Sequence, residues 1–160
     1  MLQRCQRYLT QNGIRYAHSI HAPAYTACEV ASAERVLPHE LAKVVVYVGD
    51  NGPGLVVVPA DYSVDLNEVR RLLGLSEIRL AAERELSELF PDCELGAMPP
   101  FGNLFDMPVL VDESVAAAKF MAFSAGTHRD VIRMSVADFH RLVNPLVASC
   151  AERTRIPALP

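Results

Sequence analysis

The most informative stretch of the chain for its fold is Lys43-Val44-Val45-Val46-Tyr47-Val48-Gly49-Asp50-Asn51-Gly52-Pro53-Gly54-Leu55-Val56-Val57-Val58. It contains two apolar, β-branched runs, 43–48 and 55–58, separated by residues that favour turns. Turn residues between two such runs predict a β-hairpin. Because apolar residues follow one another without alternation, both strands are expected to be buried on both faces, at the centre of a sheet.

Helical and strand patterns alternate on both sides of this hairpin. A capping box, Thr26-Ala27-Cys28-Glu29, predicts the start of a short helix that ends near Val36. Ser135 with Asp138 predicts the start of another helix in the same way. Apart from the helix that begins after Thr26, the predicted helices cover residues 2–12, 64–73, 82–90 and, after Ser135, 136–143. The predicted strands outside the hairpin cover 14–20, 78–80, 109–111, 119–124 and 131–134.

This element order mixes hairpins with helices, so the predicted fold class is α/β, of the α+β type. The chain has 160 residues, which is close to the commonest size of a single domain. We expect one domain over residues 1–150 and a loose tail over residues 151–160, where the sequence becomes polar and rich in proline.

Composition indicates a protein of the cytoplasm. Hydrophobic residues make up 51% of the chain, but no apolar run approaches the roughly 20 residues that a membrane span requires. The first residues lack the pattern of a secretion signal. Four scattered cysteines without a Cys-x-x-Cys pair are typical of free thiols in a reducing compartment. We therefore expect a cytoplasmic protein without a membrane partner.

Charge restricts the choice of partner. With 15 Lys and Arg against 19 Asp and Glu, the net charge is −4, which argues against a general nucleic-acid binder and against DNA. A protein that contacts only the end of an RNA can still be acidic overall. The five histidines are dispersed, so neither a metal site nor a cofactor is predicted.

Two features are candidates for chemistry. Lys43 begins a run of apolar residues, and a lysine rarely tolerates full burial without a partner. It is either a strand-end lysine with its ammonium in water or a cation that holds a phosphate or polarises a carbonyl. The segment Gly96–Gly102 combines prolines with glycines. It is either a stiff connector or a rigid loop that presents its backbone to a ligand.

Other candidates are weaker from the residues alone. Gly126-Thr127-His128 is read as a turn between strands with an exposed histidine, or as part of a pocket wall. His21, near Tyr25, has the same two interpretations. Weaker candidates are Asp61, Asn103 and Ser124.

Four segments, in their order and spacing, resemble the YbaK/EbsC/ProX family of proteins similar to the prolyl-tRNA editing domain. The segments are His21-Ala22-Pro23-Ala24-Tyr25-Thr26-Ala27-Cys28-Glu29-Val30-Ala31, Leu41-Ala42-Lys43-Val44-Val45-Val46, Glu94-Leu95-Gly96-Ala97-Met98-Pro99-Pro100-Phe101-Gly102 and Phe123-Ser124-Ala125-Gly126-Thr127-His128. The resemblance covers about residues 2–143. It implies a mixed, partly closed β-sheet with flanking helices.

The same resemblance implies an activity, a partner and a set of site residues. The implied activity is aminoacyl-tRNA deacylation, in which alanine, cysteine or a similar small residue is removed from mischarged tRNA-Pro, in trans or beside a synthetase. The implied catalytic residues are Lys43, Gly96 and Pro100. The implied substrate-binding residues are His21, Tyr25, Thr26, Met98, Phe101, Gly102, Gly126, Thr127 and His128.

In this hypothesis Lys43 holds the terminal phosphate or the ester carbonyl, and the Gly96–Gly102 backbone positions a water. The ribose hydroxyl of the tRNA would serve as the base. Two rival functions remain open at this point. One is a tRNA-end or nucleotide-binding module without hydrolytic activity, which the acidic net charge favours. The other is an enzyme that acts on free aminoacyl esters.

Overall fold

The structure is a computed structural model that describes residues 1–155, and this range contains six α-helices and ten β-strands. The helices are α1 (Gln3–Gln11), α2 (Ala27–Glu34), α3 (Leu66–Leu72), α4 (Glu83–Leu89), α5 (Glu113–Ala116) and α6 (Val136–Val143). The strands are β1 (Tyr16–Ile20), β2 (Ala42–Gly49), β3 (Gly52–Pro59), β4 (Tyr62–Val64), β5 (Ile78–Leu80), β6 (Val109–Asp112), β7 (Phe120–Ser124), β8 (Asp130–Ser135), β9 (Leu146–Ala148) and β10 (Ala151–Arg153).

The predicted hairpin is confirmed as β2 and β3, which pair antiparallel with Lys43 opposite Val58 and Tyr47 opposite Gly54. These strands belong to a five-stranded sheet with the order β5-β2-β3-β6-β9. The last six residues of β3 are buried, as expected for the central strand. Strand β6 is parallel to β3, and β9 is parallel to β6, so the sheet is mixed.

A second sheet is antiparallel and has the order β1-β8-β7. The two sheets meet where Leu41, just before β2, forms an isolated parallel bridge with Ala122 of β7. The start of β2 therefore lies beside the end of β7. This contact brings Lys43 close to the end of the second sheet, and the mixed α/β fold class is confirmed.

The hydrophobic core lies between the sheets and the helices. Phe101 is fully buried and packs edge-on against Phe123, with ring centroids 5.4 Å apart. The predicted helix starts are also confirmed. The Thr26 side chain accepts a hydrogen bond from the Glu29 amide, and the Ser135 side chain accepts one from the Asp138 amide. These caps satisfy amides that have no partner within the helix.

The prediction of a loose tail from residue 151 is wrong for Ala151–Arg153, because these residues form β10 and pair with β4. Asp112, which is 2% exposed, accepts hydrogen bonds from the Cys150 amide at 2.9 Å and the Ala151 amide at 3.1 Å. This long-range contact could not be read from the local composition. Residues 156–160 of the predicted tail lie outside the described residues.

Strands β4 and β9 and helix α5 were also not predicted, since each has only three or four residues. Among the described residues, no helix has the length and the apolar character that crossing a membrane requires.

The hairpin contains a close approach that yields a stability prediction. A Cβ added at Gly54 would overlap the ring of Tyr47, which is 4% exposed. We expect Gly54→Ala to lower the free energy of unfolding by about 1–3 kcal/mol, as measured by urea denaturation. In a Tyr47→Leu background, Gly54→Ala should lower the free energy of unfolding by less, because the aromatic ring that the methyl group overlaps is absent. Equal costs in both backgrounds would contradict this account.

Candidate functional site

A narrow hollow lies where α2, β2, β7 and the Gly96 loop meet. Its volume is about 20 Å³, which is room for about one water molecule. Six of the catalytic and substrate-binding residues that the family resemblance implies line it, namely Tyr25, Thr26, Lys43, Gly96, Met98 and His128. The structure thus brings together residues that are more than 100 positions apart in the chain.

Lys43 is half-buried in the wall of this hollow. Its Nζ donates a hydrogen bond to the Ala60 carbonyl oxygen at 3.2 Å. Burial lowers the pKa of Lys43 below its ordinary value, and the nearby Cys28 and Asp61 oppose this shift. The ammonium therefore has an incomplete set of partners, since it can donate three hydrogen bonds and uses one of them within the described residues. It remains able to bind an anionic or carbonyl oxygen.

The Gly96 loop and the turn at 126–128 are joined by backbone hydrogen bonds. The Glu94 amide donates to the Gly126 carbonyl at 2.9 Å, and the Gly126 amide donates to the Ala97 carbonyl at 2.8 Å. The Glu94 carboxylate accepts from the His128 amide at 2.8 Å. These bonds make one rigid wall from two segments that are distant in sequence.

Glu94 is not among the site residues predicted from the sequence. Its partner His128 is 34 residues further along the chain, so no local pattern could reveal the contact. The only available signal was its position at the start of the proline- and glycine-rich segment.

His128 and Tyr25 form the mouth of the hollow. Their ring centroids are 4.9 Å apart, with a tilt of 53° between the planes. Tyr25 is 67% exposed, and its backbone amide donates to the Glu29 carboxylate at 2.9 Å. The helix-capping carboxylate therefore also holds the backbone of the residue at the mouth, while the Tyr25 ring is accessible to a ligand.

The loop backbone offers hydrogen-bond donors. Within residues 1–155, neither the Gly96 amide nor the Met98 amide donates to a protein acceptor. Gly96 has a φ of +86°, and a Cβ there would stand 3.7 Å from the His128 ring. The absence of a side chain keeps the hollow open, so the loop can present its amides to an oxygen atom.

Asp130 holds the turn behind the hollow. It accepts from the Thr127 hydroxyl at 2.6 Å and contacts His18 Nε2 at 2.5 Å and the Met1 amino group at 2.5 Å. Burial would raise the pKa of Asp130, but the hydrogen bonds from Met1, Thr127 and His18 outweigh it and lower the pKa to about 2. The carboxylate is therefore ionised at neutral pH and orders the turn that carries His128.

Six of the predicted site residues do not line the hollow. Gly126 and Thr127 lie behind it, where Gly126 packs against Leu2 and Thr127 bonds to Asp130. The His21 ring contacts the Ala22 carbonyl at 2.6 Å. These residues position the turn and its neighbours and have no contact with the hollow itself.

The structure places Pro100, Phe101 and Gly102 in the buried core instead of the hollow wall. Phe101 is 0% exposed, and a Cβ at Gly102 would collide with the Met107 carbonyl. Packing of the loop end accounts for these residues, so we leave them out of the proposed binding set. Phe101 therefore does not line the hollow, although the family resemblance implies that it binds substrate.

The remaining wall comes from small and apolar residues and from Ser124, which was only a weak candidate. The others are Ala27, Val30, Leu41, Ala42 and Val44. Residues of these types carry no chemical signal in a sequence. Among the described residues, no group of three or more His, Cys, Asp or Glu side chains is arranged to hold a metal ion.

The fold and this site match a known class of protein domain. A family model described as the aminoacyl-tRNA editing domain matches residues 21–142. The chain belongs to this family. The match includes all six hollow-lining residues that were predicted from the sequence.

Curated relatives carry the same domain within longer chains. The proline–tRNA ligase of Aquifex aeolicus (strain VF5) is 30% identical over 133 residues, which are 79% of this chain and 21% of the ligase. The proline–tRNA ligase of Bacillus cytotoxicus is 32% identical over 89 residues, which are 56% of this chain and 16% of the ligase. The chain thus spans about a fifth of the length of these relatives or less.

Solved structures agree over nearly the whole chain. One is described as a candidate trans-editing enzyme for prolyl tRNA synthetase. It has a TM-score of 0.82 and 27% identity, and the match covers 94% of this chain and 96% of that one. A second, of a hypothetical protein, has a TM-score of 0.84 and 22% identity, and the match covers 93% of this chain and 99% of that one. Because the second structure is only 22% identical, its similarity is evidence for the fold alone.

The Asp130 cluster yields a prediction about acid stability. We expect Asp130→Asn to lower the free energy of unfolding at pH 7 by about 1–3 kcal/mol, since it weakens a buried set of hydrogen bonds. Because the folded pKa is depressed, the ionised carboxylate stabilises the fold above its ordinary pKa, and this contribution is lost as the pH falls towards 2. Urea denaturation of both proteins between pH 7 and pH 2 measures it. The difference should shrink with falling pH; a difference independent of pH would contradict the assignment.

Proposed function

We propose that this domain hydrolyses, in trans, the ester that links a small amino acid such as alanine or cysteine to tRNA-Pro. The observation that carries the proposal is the hollow lined by Lys43 together with Gly96 and Met98, two loop residues whose amides have no protein acceptor among the described residues. Membership of the aminoacyl-tRNA editing family supports the same reaction class. Residues 1–150 would act as one domain in the cytoplasm, where the substrate is made.

The proposed chemistry needs no strong nucleophile, because an aminoacyl ester is already activated. Lys43 would leave the Ala60 carbonyl to bind the ester carbonyl or the terminal phosphate of the RNA. The amides of Gly96 and Met98 would stabilise the negative charge that develops on the ester oxygen. A water beside the ester would attack its carbonyl carbon, with the adjacent ribose hydroxyl of the tRNA as the base. The bond between that carbon and the esterified ribose oxygen would break, and the free amino acid and the uncharged tRNA would leave.

Size would provide the selectivity. The hollow holds about 20 Å³, and its wall includes Met98, which is 5% exposed and held in place by the core. Only a small side chain could enter such a space. An apolar pocket discriminates between two side chains that differ by one methylene by roughly 10- to 200-fold in rate. Steric exclusion of a larger side chain is more effective.

The proposed partners are the aminoacylated 3′ end of tRNA and, through it, a prolyl-tRNA synthetase. The likeness to proline–tRNA ligases supports this partner. The solved structure described as a candidate trans-editing enzyme supports action outside a ligase chain.

One observation favours a second candidate function, a tRNA-end or nucleotide-binding module without hydrolytic activity. Lys43 already donates to the Ala60 carbonyl, so its ammonium is partly engaged without a substrate. An acidic net charge of −4 also suits a weak, local contact with RNA.

One assay separates these functions. The protein is incubated with tRNA-Pro charged with alanine, cysteine or serine, and with the matching free amino-acid esters. Release of the amino acid from the tRNA alone supports editing, and binding without release supports the module. Release from both substrates at similar rates supports a general esterase.

Lys43 gives the first activity prediction. We expect Lys43→Ala to reduce the rate of alanine release from tRNA-Pro by about 10²-fold or more, because it removes the cation of the hollow. The matched control is Arg70→Ala, an exposed cation on α3, which should keep the wild-type rate. Equal rates for wild type and Lys43→Ala would exclude the role of Lys43.

The lowered pKa of Lys43 predicts a pH dependence. Charge at Lys43 is present below its pKa and is lost as the pH rises through it, so the alkaline fall in rate should begin below the ordinary lysine pKa of 10.5. Lys43→Arg should remove this fall, because arginine stays protonated. The measurement is the single-turnover rate of wild type and Lys43→Arg as a function of pH, corrected for spontaneous hydrolysis of the ester. The same fall in rate at high pH in both proteins would refute the assignment of this fall to Lys43.

Gly96 tests the role of the loop, with Gly13 as a matched control. Both have positive φ, +86° and +64°, but a Cβ at Gly13 meets nothing within 4 Å. Each alanine variant should therefore lose about 1 kcal/mol of stability from backbone strain. Only Gly96→Ala should also slow alanine release, by about tenfold or more, because its methyl group enters the hollow. Similar rates for the two variants would exclude a role of the Gly96 loop in positioning the substrate.

A further inference from the structure

A second and larger cavity is a groove on the β1-β8-β7 sheet, which we call the Phe120 groove. Its volume is about 660 Å³. The residues that matter here are His39, Glu40, Asp61, Lys119, Phe120 and Arg133. None of these lines the hollow that contains Lys43.

An exposed aromatic ring with two cations lies in this groove. Phe120 is 43% exposed. The Arg133 guanidinium carbon lies 4.8 Å from the centroid of the Phe120 ring, and Lys119 Nζ lies 5.6 Å from it. Within residues 1–155, neither cation forms an ion pair with a carboxylate. Two free positive charges beside an exposed ring are suited to a ligand that offers both phosphates and aromatic faces.

The carboxylates of the groove already have internal partners. Glu40 accepts a hydrogen bond from the Leu37 amide at 2.8 Å. Asp61 accepts one from Arg153 Nε at 3.2 Å. The charged groove residues without an ion-pair partner in the described part of the chain are therefore two cations, Lys119 and Arg133, and one carboxylate, Glu40, so the balance near Phe120 is positive although the protein as a whole carries a net charge of −4.

The groove continues along the sheet face that leads to the hollow. Side chains alternate along a strand, so Phe120, Ala122 and Ser124 of β7 lie on one face. Arg133 stands opposite Ala122 in the register and shares this face. Phe120 and Ala122 line the groove, and Ser124 lines the hollow. Phe120 and Ser124 are four positions apart on β7, which corresponds to ~13 Å along the strand.

We propose that the Phe120 groove binds the RNA strand that precedes the esterified nucleotide, with a base stacked on Phe120 and phosphates on Lys119 and Arg133. A separation of ~13 Å corresponds to about four stacked nucleotides. That the bound RNA is the strand next to the ester rests on the proposed function. RNA binding at the groove can be tested independently of that function.

The test uses an uncharged RNA hairpin that ends in four unpaired 3′ nucleotides, with binding followed by fluorescence anisotropy at several salt concentrations. The charge variant is Lys119→Gln/Arg133→Gln. Its matched control is Arg7→Gln/Arg70→Gln, which removes two exposed cations elsewhere. The stacking variant is Phe120→Leu, and thermal unfolding verifies that each variant is folded.

We expect the charge variant to bind the hairpin at least tenfold more weakly at low salt than its control. The slope of log affinity against log salt should fall by about 1.4, since each lost phosphate contact on a single strand contributes about 0.7. Phe120→Leu should weaken binding by about fivefold or more through lost stacking. A blunt-ended hairpin should bind more weakly and should be insensitive to Phe120→Leu.

Equal affinities of the charge variant and its control for the hairpin would overturn the proposal. So would a charge variant that loses affinity for polyglutamate while its affinity for the hairpin is unchanged, because the groove would then be a site for an acidic peptide. The two proposals fail separately. If RNA binding depends on the groove residues but no amino acid is released, the hydrolase proposal is refuted and the groove proposal is supported. If the amino acid is released but binding does not depend on the groove residues, the groove proposal is refuted and the hydrolase proposal is supported.

Discussion

The rest of the structure depends on the packing of the β2–β3 hairpin and on the single contact that joins it to the second sheet. Strand β3 is buried throughout its second half and cannot shift its register without exposing valines. Its pairing therefore sets the position of β2. The bridge between Leu41 and Ala122 then places the start of β2 against β7. A lysine at the second position of β2 is held at this junction, half-buried and short of hydrogen-bond partners.

The opposite wall of the hollow is built by a different kind of interaction. Backbone hydrogen bonds between Glu94, Ala97 and Gly126 join an irregular loop to a turn between strands, and the Glu94 carboxylate holds the His128 amide. An irregular segment that these bonds hold in place can still leave amides free at a defined position, among them, within residues 1–155, those of Gly96 and Met98. This combination suits the stabilisation of a developing negative charge, because the donors need no rearrangement during the reaction.

The distribution of charge reconciles an acidic protein with the proposed RNA substrate. Several of the carboxylates near the two cavities are engaged in caps or ion pairs, such as Glu29 at the start of α2 and Asp61 with Arg153. Among the described cations that lack such partners, Lys43 lies at the hollow, and Lys119 and Arg133 lie in the Phe120 groove. A protein that touches a short stretch of RNA needs positive charge only along that stretch, and weak overall affinity would allow it to leave a correctly charged tRNA.

The sequence by itself determined the hairpin, the caps of α2 and α6, the order of most elements, and, through the family resemblance, six residues of the hollow. These features rest on local patterns such as β-branched runs, turn residues and capping pairs. Only the tertiary structure decided that Glu94 meets His128, that Phe101 belongs to the core, that residues 151–153 form a strand, and that Arg133 lies over the Phe120 ring. Each of these depends on contacts between residues far apart in the chain. Such contacts follow from packing and hydrogen bonding in three dimensions, and no local periodicity records them.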